Sequence, residues 1–255
     1  MKKIAVVTGA SSGMGRSFAK KLDEKYDFDE IWLIARRTDR LEALGSELRA
    51  KSKIISLDLT SKEAPEKYRL LLEEEKPQVD VLVCAAGFGR FGAFTEMPLE
   101  PQLEMIDLNA KALVAVTYHT LPYMKKGGRI FELDSLSSFQ PVPYINVYGA
   151  TKAFVLSFSR ALGVELVTRG IRVMAVSPGW VKTEFFDRAV TDSTITYYNR
   201  YFEADEVVDR AIRDMEKGKD VSVCGFSVRA QVLLTKLLPH RLVMRIWCRQ
   251  QKKPF

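Results

Sequence analysis

The chain is poor in the residues that build metal centres. It holds three cysteines and two histidines in 255 residues. Cys84, Cys224 and Cys248 lack the paired spacing of a zinc site, and His119 and His240 do not complete one, so no metal is expected. No apolar run reaches the eighteen or so residues of a membrane span. No G-x-S-x-G elbow with a placed histidine marks a nucleophilic serine. A leader segment is not expected either. Met1-Lys2-Lys3 runs straight into Ile4-Ala5-Val6-Val7-Thr8-Gly9, a strand and its turn, which points to a cytoplasmic protein.

Acidic residues are missing from one place. Residues 225–255 contain seven basic side chains (Arg229, Lys236, Arg241, Arg245, Arg249, Lys252, Lys253) and no Asp or Glu. Removing those seven from the 39 basic residues of the chain leaves 32, against 32 acidic ones, so the formal charge of +7 belongs to the tail. A neutral body disfavours a nucleic-acid binder, whose phosphate footprint would have to come from the tail alone. The 47% apolar content excludes general disorder and is enough for one large α/β core.

What is present is an alternation. Short apolar strands are predicted at 3–8, 30–35, 53–57, 79–84, 129–134, 171–176 and 220–224, with helices at about 14–25, 39–50, 62–75, 101–121, 148–168 and 204–216. Runs such as Val79-Asp80-Val81-Leu82-Val83 suit strands covered on both faces. The expected fold is therefore α/β: a Rossmann-like, doubly wound parallel sheet of about seven strands with helices on both faces. Residues 1–224 read as one dinucleotide-binding and catalytic domain, with 225–255 as a basic helical extension of it. The stretch 179–203 shows no clear pattern and reads as a lid.

Thr8-Gly9-Ala10-Ser11-Ser12-Gly13-Met14-Gly15 follows the first strand and opens a helix. Glycines there let backbone N–H groups approach a pyrophosphate at the positive helix end. Alone the motif is an ordinary glycine-rich turn; its placement makes it a nucleotide site. The second strand ends in Arg36-Arg37, where an acid would select NAD, so the fork favours NADP(H) over NAD(H), with Arg36 the stronger candidate. Asp58 fits two roles equally, a bond to the adenine amino group or a helix cap near Ser61. Ala86-Gly87 lets the backbone run close to the cofactor, or simply turns.

Tyr148-Gly149-Ala150-Thr151-Lys152 carries the chemistry. Four apart on a helix, Tyr148 and Lys152 share a face, and a nearby ammonium brings a phenol of reference pKa about 10 toward working pH. Ser135, in Asp134-Ser135-Leu136-Ser137-Ser138 after the fifth strand, offers a hydroxyl to a carbonyl oxygen, or caps a turn. Asn109, a mediocre helix former inside a helical pattern, serves a local contact. The glycine turn, Arg36, Asp58, Ala86-Gly87, Ser135 and Ser177-Pro178-Gly179 all fall at carboxyl ends of predicted parallel strands, the ligand edge of open α/β sheets.

These ordered motifs, Thr8-Gly9-x-x-x-Gly13-x-Gly15, Asp58, Asn109, Ser135, Tyr148-x-x-x-Lys152 and Pro178-Gly179, resemble the short-chain dehydrogenase/reductase family across residues 4–183. The resemblance implies hydride transfer between a nicotinamide and a carbonyl/alcohol pair. It casts Tyr148 as general acid–base, Ser135 as the group orienting the substrate oxygen, and Lys152 as ribose ligand and tuner of Tyr148. Asn109 would hold a relay water and Thr183 would contact the carboxamide. It also implies homo-oligomers, through helices at 101–121 and 148–168. A non-catalytic nucleotide-binding regulator of the same fold is the alternative. Two departures stand out. Cys84-Ala85-Ala86-Gly87 replaces the usual Asn-Asn-Ala-Gly, which weakens the bracing of the central sheet, and Asp134 stands where a second serine is common.

Phe88, Phe139, Trp180, Phe185, Phe186, Tyr197, Tyr198 and Tyr201 are expected either to wall a pocket for a lipophilic ketone or alcohol, or to pack the lid. The tail reads as two helices broken at Pro239. Ala230, Leu233, Leu234, Leu237 and Leu238 form one apolar stripe, Leu242, Val243, Ile246 and Trp247 another, with Arg241, Arg245 and Arg249 on a separate face. An interfacial membrane helix presents this pattern, and so does a helix docked on its own domain or on another subunit; docking is the favoured expectation.

Overall fold

Valine and isoleucine runs without polar alternation need cover on both faces, and a computed structural model describing residues 1–190, 194–198 and 200–255 provides it. In β1 (Lys3–Thr8), Ala5 and Val7 face one apolar cluster and Ile4 and Val6 the other, all fully buried. At about 1.5–3 kcal/mol for each large apolar side chain buried, such strands anchor the sheet. The chain continues through α1 (Gly13–Lys25), β2 (Glu30–Ala35), α2 (Thr38–Gly45), β3 (Lys51–Ser56), α3 (Ala64–Glu75) and β4 (Gln78–Cys84). Next come α4 (Leu99–Ile106), α5 (Leu113–Thr120), β5 (Met124–Leu133), α6 (Asn146–Glu165) and β6 (Arg172–Val176). The remaining elements are β7 (Trp180–Val181), α7 (Phe185–Ala189), β8 (Tyr201–Phe202), α8 (Ala204–Glu216), β9 (Val221–Ser222), α9 (Phe226–Leu237) and α10 (His240–Gln250).

The main sheet has seven parallel strands in the order β3-β2-β1-β4-β5-β6-β9. Strand order reverses between β1 and β4, and the crevice beyond their carboxyl ends is where such sheets place ligands. Helices α1 and α8 share one core cluster with Phe131 and Met174, while Tyr68, Val116 and Val155 from α3, α5 and α6 fill the other.

Three expectations shift. The helix predicted over 39–50 stops at Gly45, where a side chain would strike Ser52 of β3, so close packing ends it. The long helix over 101–121 is interrupted by a π-helical turn, Asp107–Ala112, between α4 and α5. The stretch 179–203 is less formless than its sequence: β7 and β8 pair in parallel and α7 lies between them. Within that stretch, which the sequence reads as a lid, 191–193 and 199 lie outside the described residues.

Candidate active site

The glycine turn is shaped by close approach. Gly9 has φ +67°, and a Cβ there would sit 2.7 Å from the backbone N of Ala86 at the end of β4. A Cβ on Gly15 would lie 2.3 Å from the carbonyl oxygen of Gly9. Only hydrogen fits at either position, which keeps the start of α1 open to an incoming anion. Thr8 stitches the two strand ends, donating to the Val83 carbonyl at 3.3 Å and accepting from the Ala86 N–H at 3.1 Å. Gly9 and the residues from Ser11 to Gly15 line a groove of about 560 Å³ with Arg36, Arg37, Asp58, Ala86, Gly87 and Thr183.

Within that groove the two arginines differ. Arg37 reaches back to the glycine turn, donating to Ser11 Oγ at 3.1 Å, and pairs with Glu184 at 2.8 Å. Arg36 is more exposed and stands 4.0 Å from both Asp58 and Glu104. The stronger link to the turn is therefore made by Arg37 rather than Arg36. Arg40, three residues along α2, shares the Glu184 carboxylate, a partner that only the helix register reveals. Both arginines hold that carboxyl below its ordinary range. Asp58 accepts from Thr60 N at 3.0 Å and from its hydroxyl at 2.7 Å, so locally it caps a turn while still lining the groove.

A second cavity, of about 390 Å³, opens beside the first. Met14, Gly87, Phe88, Leu133, Thr183 and Phe185 line both, so the two meet there. Ser135, Tyr148 and Lys152 stand on its wall with Pro178 and Gly179. Burial pushes the Tyr148 phenol up, a side-chain hydrogen bond with Ser135 opposes the shift, and the Asp134 charge adds to it. Ser135 Oγ accepts the Ser137 N–H at 3.2 Å, which leaves its own proton to donate. Lys152 Nζ donates to the Leu133 carbonyl at 2.6 Å, and burial lowers its pKa to about 8, against the opposing charges of Asp134 and Glu132. The expected lowering of the phenol is therefore not what the site displays. Desolvation keeps Tyr148 protonated and shifts the lysine instead.

Asn109 lies inside the π-helical turn, a local widening that re-aims a side chain and recurs at functional sites. Its amide donates to Phe88 O at 2.9 Å and Thr151 Oγ1 at 3.1 Å, while its oxygen accepts the Phe88 N–H at 3.0 Å. It thereby locks the loop after β4 onto α6, fully buried.

Two acids underlie the site. Asp134 accepts from Ser177 at 2.6 Å and Ser138 at 2.7 Å, tying the ends of β5 and β6 to the turn that carries Ser135. Glu132, one layer below, accepts from Thr117 at 2.8 Å, and Thr117 in turn contacts Cys84 at 3.7 Å. Burial pushes both carboxyls up to about 7. Where the sequence suggests lost bracing at Cys84-Ala85, the Thr8 stitch and the Glu132–Thr117 pair hold the strands. The only hint in sequence is a lone glutamate inside Ile130-Phe131-Glu132-Leu133.

Of the expected aromatic wall, Phe88, Trp180, Phe185, Phe186 and Tyr197 line the second cavity. Phe139 does not: it lines a separate depression beside Pro141 and sits under Lys236 at 5.5 Å. Tyr198 and Tyr201 also stay off the lining, packing edge-on to Phe186 instead. Their places are taken by Phe91, which the sequence did not single out, and by residues of the two tail stripes, Leu234, Leu238, Val243 and Ile246. Trp247 lines it too and donates its indole N–H to Pro143 O at 3.0 Å. Buried Gln251 ties the tail to the segment before β8, accepting from Thr196 N and Tyr197 N at 3.0 Å each.

The chain belongs to the short-chain dehydrogenase family, whose model matches residues 3–194. A serine 3-dehydrogenase from Rhizobium radiobacter is 35% identical over 190 residues, covering 72% of this chain and 74% of that protein. A short-chain dehydrogenase from Sphingobium yanoikuyae, solved in complex with NADPH, superposes with a TM-score of 0.78 at 30% identity over 95% of each chain. A bulky-bulky ketone specific alcohol dehydrogenase from Comamonas testosteroni gives 0.74 at 26% identity, over 96% of this chain and 94% of its own.

Proposed function

We propose that the protein transfers a hydride between NADP(H) and the carbonyl/alcohol pair of a lipophilic substrate, with Tyr148 as general acid–base. The observation that carries this reading is the junction of the two cavities, a groove along the glycine turn and an apolar chamber with Ser135, Tyr148 and Lys152 on its wall. The NADPH-bound relative and the bulky-ketone neighbour support it.

The residues present fit the cofactor, because the turn leaves no room for a Cβ at Gly9 or Gly15 beside the helix end. The glycine turn would hold the pyrophosphate, and Arg37, with Arg36, a ribose 2′-phosphate. Asp58 would face the adenine. Ala86-Gly87, Pro178-Gly179 and Thr183 would border the nicotinamide half, and Lys152 its ribose. A bound nicotinamide supplies the hydride couple. Tyr148, held protonated by burial, donates to the carbonyl oxygen, and Ser135 donates to the same atom. Asn109, whose amide donates to Phe88 and Thr151, would hold a relay water. Exposed Leu99, Leu103 and Ile106 on α4 and Phe154 on α6 support self-association through that face.

A screen of ketones and alcohols followed by NADPH absorbance tests this. Saturable turnover on bulky apolar ketones is expected, and absence of saturable NADPH binding would overturn it.

A further inference from the structure

The last two helices carry a surface that neither the fold nor the proposed reaction uses. On α9, Val228, Val232 and Thr235 turn onto the body. Of the apolar stripe on α9, Leu234 and Leu238 line the chamber, whereas Leu233 and Leu237 face outward at 60% and 71% exposed, and Phe226, one helical face with them, is 84% exposed. Leu242 and Ile246, four apart on α10, add to it at 41% and 43%. Leu234 and Ile246 belong to both the surface and the chamber lining, so the apolar patch begins where the chamber opens. Contiguous apolar surface of this kind marks an interaction site.

The charge carried by the tail itself is of one sign. Among the described residues, none of the seven cations from Arg229 to Lys253 pairs with a carboxylate. Lys236, Arg245 and Lys253 lie over the rings of Phe139, Phe255 and Tyr144. Arg241, Arg245 and Arg249 repeat every four residues along α10. A second copy meeting this face about a twofold axis would set cation against cation with no acid to offset them. An anionic lipid surface answers both the apolar stripe and the unpaired charge. Helices of 12 and 11 residues extend about 16–18 Å at 1.5 Å per residue, too short to span. They suit lying in the interface.

We propose that α9 and α10 dock the protein on an anionic membrane surface. Phe226, Leu233 and Leu237 enter the headgroup boundary, the arginine row of α10 contacts acidic headgroups, and the chamber mouth at Leu234 and Ile246 lies against the bilayer. Entry of substrate from the lipid rests on the lipophilic-substrate reading above; docking does not.

Co-sedimentation of the full-length protein with phosphatidylcholine vesicles, with and without phosphatidylserine, tests the docking. Binding is expected only with phosphatidylserine, weakening as salt rises. Leu233→Ser/Leu237→Ser and Arg241→Gln/Arg245→Gln/Arg249→Gln should each weaken it about tenfold or more. NADPH binding and turnover of a water-soluble ketone should stay at wild-type level in both. No binding to anionic vesicles, or equal binding to neutral ones, overturns the proposal. So does a solution dimer, seen by light scattering, that the double leucine variant abolishes. Vesicle binding without turnover of bulky ketones would instead defeat the substrate reading and leave docking standing.

Discussion

The body and the tail handle charge in opposite ways. In the body, several cations near the cleft are matched: Arg37 and Arg40 by Glu184, Arg188 by Glu104, Arg16 by Glu47. In the tail, basic side chains stand over aromatic rings or point outward beside exposed leucines. Matched charge fixes the geometry of the cleft, whereas the unmatched charge of the tail is what the proposed docking would use. Yet the two regions are not independent, because Gln251, just after α10, accepts from the backbone of Thr196 and Tyr197 and α9 and α10 roof the chamber.

Substitutions that separate the two regions sharpen this contrast. Tyr148→Phe removes the proposed proton donor while keeping the ring, so turnover should fall on the order of a thousandfold with NADPH binding unchanged. Vesicle binding should not move; if it did, the division between body and tail would fail. Gly15→Ala forces a methyl against the Gly9 carbonyl, and NADPH affinity measured by fluorescence titration should drop more than about tenfold. Arg37→Gln should weaken NADPH by roughly tenfold to a hundredfold and NADH little, since a charge-assisted hydrogen bond is worth about 1.5–3 kcal/mol. An equal loss for both cofactors would assign Arg37 to the turn alone.

The smallest effect concerns the buried acids. Glu132 is pushed up to about 7 by burial, so the folded state keeps a proton that the unfolded chain releases above about pH 4. Its contribution is therefore fully present below that value and is lost as pH rises toward 7, at no more than about 1.4 kcal/mol per pH unit. Glu132→Gln should flatten that slope in urea titrations and raise stability above pH 7. An unchanged slope would mean that Glu132 titrates normally.

Features with local causes were legible in the sequence. Buried strands announced themselves by apolar runs, the glycine turn by its placement, Tyr148 and Lys152 by helical spacing, and the α9–α10 break by Pro239. What depends on distant neighbours was not. The π-helical turn at Asn109 owes its place to Phe88 and Thr151, and Glu132 finds Thr117 across the sheet. Arg37 rather than Arg36 meets Ser11 because of the way β2 passes into α2. Phe139 was misread, and the side to which Leu233 and Leu237 of α9 turn was left open, for a related reason. Periodicity shows that a face is apolar, not which side of the helix meets the body.

NADPH oxidation by the wild type and Tyr148→Phe, each with a bulky apolar ketone, bears most directly on the cleft as a reducing site. Saturable, ketone-dependent oxidation by the wild type, lost in the variant while NADPH still binds, is the expected result. Wild-type turnover surviving in Tyr148→Phe would contradict it.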